Sequence, residues 1–119
     1  MKVAVIGSRE KTISNLEKFL PKETTEIVSG GARGIDSCAR EYALKNKIKL
    51  VEFLPDYKTY GRVAPLKRNH LIVSYCDAVI AFWDGISKGT EYTINLAKKM
   101  NKKVIVYIIK PPLKKGGAF

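Results

Sequence analysis

Five short apolar runs, each closed by turn-forming residues, divide the chain: Val3–Ile6, Glu26–Ser29, Leu50–Leu54, Ala78–Trp83 and Val104–Ile109. Runs of this kind, continuous rather than alternating, predict strands covered on both faces, as in a parallel sheet. Between them the apolar residues recur at helical spacing. Ile13, Leu16, Phe19 and Leu20 share one face and predict a first helix ending at Pro21. Ile35, Cys38, Ala39, Tyr42 and Ala43 give a second helix the same three/four spacing. Pro65 can open a third, where a missing N–H costs nothing, with Ile72, Tyr75 and Cys76 along one side. Thr90 is placed to cap a fourth, whose Thr93, Leu96, Ala97 and Met100 face inward.

Strands and helices therefore alternate from end to end, which defines an α/β fold. Right-handed crossovers make it a doubly wound, Rossmann-like parallel five-stranded sheet with helices on both faces. The expected strand order is 3-2-1-4-5, with the first and fourth strands adjacent where the winding reverses. Ligands of such sheets bind beyond the carboxyl ends of the strands at that reversal. Residues 1–110 read as one domain, and the tail from Pro111 to Phe119, rich in proline, lysine and glycine, is expected outside the core.

Composition narrows the class. At 119 residues and 45% apolar content the chain has enough material for one hydrophobic core. No apolar run approaches the roughly 20 residues of a membrane helix, and Lys2–Ile6 is too short for a signal-peptide core, so a cytoplasmic protein without membrane partners is expected. Cys38 and Cys76 form no CxxC motif and lie in apolar helical patterns, as buried fillers do. With one histidine, His70, no zinc site is expected.

Charge adds a hint about partners. Lysine and arginine number 22 against 11 acidic residues, and residues 61–119 carry 11 basic but only 3 acidic groups. Such an excess concentrates anions, from nucleotides to nucleic acid, or else lysines such as Lys98, Lys99, Lys102, Lys103, Lys114 and Lys115 merely solvate helix ends and the tail.

The candidate chemistry lies in three glycine-bearing turns that should open on one rim of the sheet. They are Gly7-Ser8-Arg9, Ser29-Gly30-Gly31-Ala32-Arg33-Gly34-Ile35-Asp36, and Asp84-Gly85-Ile86-Ser87-Lys88-Gly89-Thr90. Glycine removes the Cβ that would hold a ligand off the backbone, and a following helix N-terminus offers free N–H groups to a phosphate. Ser29, Ser87 and Thr90 add hydroxyls, and Arg9 and Arg33 add charged donors. Neither GxxxxGKS/T nor GxGxxG occurs, which argues against an ordinary P-loop ATPase or NAD dehydrogenase. In the segment from Pro55 to Asn69, Tyr57 and Tyr60 are able to stack on a base, and Arg62 and Arg68 to meet phosphate, or the loop is simply packed. Trp83 is either an apolar plug or one wall of a base pocket.

These motifs, with Val3–Arg9, Ser29–Asp36, Arg68-Asn69 and Gly85–Thr90 taken together, resemble the SLOG superfamily, which joins the SMF/DprA and LOG proteins. The match is nearest to the small stand-alone YspA-like branch and runs from Lys2 to about Ile109. The resemblance implies a Rossmann-like fold, a nucleotide-type ligand related to ADP-ribose or NAD, and a homodimer. It implies that Gly7, Ser8 and Arg9 lie near the ligand, Ser29 to Gly34 at a phosphate, and Gly89 and Thr90 at a second phosphate-facing turn. It also brings Asp36, Arg68, Asn69, Asp84, Gly85 and Ser87 into the binding set. LOG phosphoribohydrolases carry PGGxGTxxE, but the position of that glutamate holds Thr93 here, and Glu91 is offset by roughly 200° on a helix. Tyr57 stands where the branch has tryptophan.

The expected function is thus binding of a nucleotide or nucleotide-derived ligand as a sensor or binding module, with no certain cofactor, although Mg²⁺ can arrive with a phosphate. One alternative is a LOG-like N-glycosidase using Asp36 or Asp84, residues that at such turns otherwise serve as caps. The other is DprA-like binding of single-stranded DNA. The apolar run Leu71, Ile72 and Val73 in the third helix is the sequence feature behind the expected dimer.

Overall fold

A computed structural model of the chain describes residues 1–109, so the tail from Pro111 to Phe119 lies outside the described residues. The strands are β1 (Lys2–Gly7), β2 (Glu26–Ser29), β3 (Lys49–Glu52), β4 (Ala78–Trp83) and β5 (Lys103–Ile108). The α-helices are α1 (Ile35–Lys45), a single turn α2 (Tyr57–Tyr60), α3 (Ala64–Tyr75) and α4 (Lys88–Lys99). All strand pairs are parallel and the order is β3-β2-β1-β4-β5, the doubly wound arrangement that the apolar pattern predicts.

Successive strand residues face opposite sides of the sheet, and this divides the core in two. Val3, Val5, Ile27, Ile80 and Phe82 point to one side, where Ile35, Ala39 and Ala43 of α1 cover them. Ala4, Ile6, Val28, Val79 and Ala81 point to the other, against Ile72, Val73 and Cys76 of the α3 segment and Ile94 and Ala97 of α4. Both layers are dry: every one of these strand residues is buried.

The first predicted helix is not one. Residues 13–20 form a loop with only a 3-10 turn at Leu16–Lys18, preceded by Asn15 in the left-handed region at φ 61°. A left-handed residue breaks the right-handed path that helix continuation needs. The apolar spacing reports burial all the same. Leu16 is buried, Ile13, Phe19 and Leu20 pack on the α1-side core, and the Phe19 ring meets Phe82 and Tyr107 edge-on at 5.3 and 4.8 Å. The third strand ends at Glu52, not Leu54, and Met100 is exposed beyond the end of α4. The helix α4 begins at Lys88 with Ser87 at its boundary, so Thr90 sits within the first turn instead of capping it. The reason is Asp84, whose carboxylate accepts the N–H groups of Ile86 and Ser87 at 2.8 Å each and closes the turn earlier.

Candidate functional site

The chain winds β1, β2, β3 outward on one side and then returns to lay β4 on the other side of β1, with Val3 to Gly7 paired to Ala78 to Phe82. Helices α1 and α4 leave from opposite sides of that junction, so their N-terminal turns flank a crevice at the carboxyl ends of β1 and β4. A cavity of about 420 Å³ fills it. The size is within the range of small-ligand sites.

Of the residues singled out from sequence, Gly7, Ser8, Arg9, Gly30, Asp36, Arg68, Asn69, Asp84, Ser87, Gly89 and Thr90 all line this cavity. Gly31 and Arg33 line a neighbouring cavity of about 340 Å³ that shares Arg9, Gly30, Ala32 and Arg68 with the first. Three residues stand behind the walls. Ser29 is fully buried, and its Oγ accepts the Gly31 N–H at 3.3 Å, which shapes the loop. Gly34 joins the loop to α1 at φ 72° and ψ −125°, a conformation open essentially only to glycine. A Cβ there would fall 2.5 Å from the Ser8 carbonyl oxygen, the same oxygen that accepts the Ile35 N–H at 3.2 Å. Gly85 bends the α4 entry at φ 82°, and a Cβ added there would meet nothing within 4 Å.

Sequence reasoning did not select Ile6, Glu10, Pro65, Ile72 and Ile86, which also line the crevice. Ile6 and Ile72 follow ordinary core spacing, so no local signal separates them from residues that never meet the site. Glu10 pairs with Arg33 at 2.6 Å across two loops distant in sequence.

Arg68 holds the centre. It is only 7% exposed, a rare state for arginine, although its near neighbours Leu66, Lys67, His70 and Leu71 on the same helix are exposed. Its guanidinium donates to the Gly30 carbonyl at 2.5 Å and, at 3.4 Å, to that of Phe53, while Nε donates to Asn69 Oδ1 at 2.8 Å. This fork ties α3 to the loop after β2 and to the segment after β3. Gly30 lies where they meet: a Cβ would run into the guanidinium and lie 3.0 Å from Asp36 Oδ2, so a side chain here has to displace Arg68.

Asp36 is buried in the first turn of α1, where its Oδ2 accepts the Ala32 N–H at 3.1 Å. Burial pushes its carboxyl above the ordinary aspartate range, opposed by the Ala32 hydrogen bond and by the charges of Arg68 and Arg9. Desolvation in turn lowers the pKa of Arg68, with Asp36 pulling the other way. Asp84 is held below its ordinary value by the N–H groups of Ser87 and Ile86. Both aspartates therefore act as turn and cap residues. Thr93 lines the cavity at the position discussed for a LOG glutamate, and its hydroxyl donates to the Gly89 carbonyl at 3.0 Å. Glu91 instead lies 3.9 Å from Lys88.

The remaining candidates resolve in favour of packing. Trp83 donates its indole N–H to the Ser87 carbonyl at 3.0 Å and packs against the α3–α4 core, which makes it a plug under the α4 entry. His70 pairs with the Tyr92 hydroxyl at 3.0 Å on the outer surface. Both cysteines are free thiols: Cys76 is buried, and Cys38 accepts the Ile13 N–H at 3.3 Å. No helix among the described residues is long and apolar enough to cross a membrane.

Similarities to known proteins agree with this fold. DNA processing protein A from Streptococcus pneumoniae superimposes with a TM-score of 0.72 at 24% identity, over 95% of this chain and 52% of that one. DNA processing protein A from Helicobacter pylori, a structure concerned with that protein's single-stranded DNA binding mode, gives 0.71 at 26% identity, over 98% and 69%. The chain thus spans about half the length of the S. pneumoniae protein. No curated protein matches it in sequence. The sequence profile of DNA recombination-mediator protein A matches residues 1–60, the half that carries β1, the glycine loop after β2 and α1, and on this match the chain belongs to the DNA recombination-mediator protein A family.

Proposed function

We propose that the protein binds single-stranded DNA, with the strand's phosphates held at the crevice between β1 and β4. The observation that carries this reading is the pair of guanidiniums, Arg9 and Arg68, on the wall common to two adjoining cavities. Neither has an ion-pair partner within 4.0 Å among the described residues. A net charge of +11 supplies long-range attraction for a polyanion. Kinship with the H. pylori protein, which binds single-stranded DNA, supports the same substrate.

Binding of this kind releases counterions, so log K falls linearly with log salt at about −0.7 per phosphate contacted in a single strand. Anisotropy of a labelled oligothymidylate titrated with protein at several salt concentrations tests it. The expected result is a steep slope that becomes shallower by roughly 0.7 in Arg9→Ala. A flat salt dependence, or a slope unchanged in that variant, refutes the proposal.

A second reading keeps a nucleotide-type small molecule as the ligand, favoured by the α1 and α4 N-terminal turns that flank the larger cavity. It predicts that a mononucleotide binds as tightly as an oligomer, with little salt dependence. A LOG-type cleavage finds no carboxylate in its expected place, since Thr93 occupies it and hydrogen-bonds to the α4 backbone.

A further inference from the structure

The two adjoining cavities allow a statement about how long a piece of strand the site reads; it rests on the reading of the crevice as a single-strand site. Among the residues that line only the larger cavity are the apolar Ile6, Pro65 and Ile72. The smaller one has its own apolar part, formed by Pro55 and the ring of Tyr57. Between them runs the shared wall with Arg9 and Arg68. Apolar, cationic, apolar is the order in which a nucleic acid strand presents base, phosphate, base.

Tyr57 is suited to the outer position. It lines the smaller cavity and is 55% exposed, and it starts the turn α2, which is fixed by Asp56 accepting the Thr59 N–H at 3.1 Å. A residue whose backbone is already fixed in a turn has less freedom to lose on meeting a base than one in a loose loop. The smaller cavity, about 340 Å³, has room for one more nucleoside beside the one in the larger cavity. Arg33, at the outer cavity, is already paired with Glu10, whereas Arg68 uses Nε and Nη1 on Asn69, Gly30 and Phe53 and keeps Nη2, which leaves Arg9 and Arg68 Nη2 for the bridging phosphate.

We propose that the site recognises two successive nucleotides, with one nucleoside in the larger cavity, the phosphodiester on the Arg9–Arg68 wall and the next base stacked on Tyr57. The minimal ligand is then a dinucleotide rather than a mononucleotide.

Calorimetric titration with thymidine 5′-monophosphate and with 5′-phosphorylated thymidine di-, tri- and tetranucleotides tests this. Affinity should step up between mono- and dinucleotide, on the order of 5- to 100-fold as expected for one stacked base. The step should collapse in Tyr57→Ala and persist in Tyr57→Phe, which keeps the ring. Equal affinity for mono- and dinucleotide, or a step that survives Tyr57→Ala, overturns the proposal. If a decathymidylate binds with steep salt dependence but no such step occurs, the two-nucleotide site alone is wrong. If no oligomer binds, the single-strand reading fails as well.

Discussion

Replacing Arg68 by methionine distinguishes a structural fork from a merely solvated basic residue. Methionine keeps the unbranched stem and removes the donors. The donor lost to the Gly30 carbonyl makes a 2.5 Å charge-assisted bond in a buried position, and such bonds contribute about 1.5–3 kcal/mol. The contact to the Phe53 carbonyl, at 3.4 Å, is near the limit of hydrogen bonding and adds little. Asn69 Oδ1 can turn to water. Against the loss stands the desolvation of the guanidinium, visible in its lowered pKa, which the variant no longer bears. The net expectation is about 2 kcal/mol, which lowers Tm by roughly 8 °C in a domain of this size. Urea unfolding at constant m, beside Arg33→Ala as control, measures it. Arg33 is an exposed partner of Glu10, so its loss should cost no more than about 0.5 kcal/mol. If Arg68→Met is no more destabilising than Arg33→Ala, the Arg68 fork does not hold the loop after β2.

Two further predictions concern stability. Asp36 has a folded-state pKa above its unfolded value, so the folded chain binds the extra proton and stability falls as pH rises from the unfolded pKa, about 3.9, through the folded one. Asp36→Asn keeps an acceptor for the Ala32 N–H and removes the titration. Its unfolding free energy should therefore stay flatter over that window, and parallel curves for both proteins would count against burial as the dominant influence on Asp36. Gly34→Ala places a Cβ 2.5 Å from the Ser8 oxygen at positive φ, a strain of at least about 1–3 kcal/mol. A melting temperature equal to wild type would show that the turn adopts another conformation.

Much of the fold is written locally. The five apolar runs became five parallel strands because residues covered from both sides must be apolar along their whole length, and β1 and β4 meet that condition most fully. The spacing Ile35, Ala39 and Ala43 became the buried stripe of α1. The glycine turns were legible as well, since Gly30 and Gly34 occupy places where any side chain collides. Spacing failed at residues 13–20, where periodicity reports only which side is buried. A loop can bury Leu16 and Phe19 at the same intervals as a helix, and the left-handed Asn15 decides between them. The start of α4 was misplaced for a similar reason: Thr90 is a good cap by type, but Asp84 took the turn's N–H groups first.

What the sequence determined by itself is therefore the α/β class, the burial pattern and the three turns, all properties of residues near one another in the chain. Only the tertiary structure decided that Arg68 would be buried under Gly30, 38 positions away. It also decided that Asp36 would share that cluster, and that two cavities would adjoin across the Arg9–Arg68 wall. Those facts follow from the crossover that sets β4 beside β1 and brings α3 up to the loop after β2. No local pattern encodes such a meeting, because the energy that fixes it is the burial of both sheet faces at once.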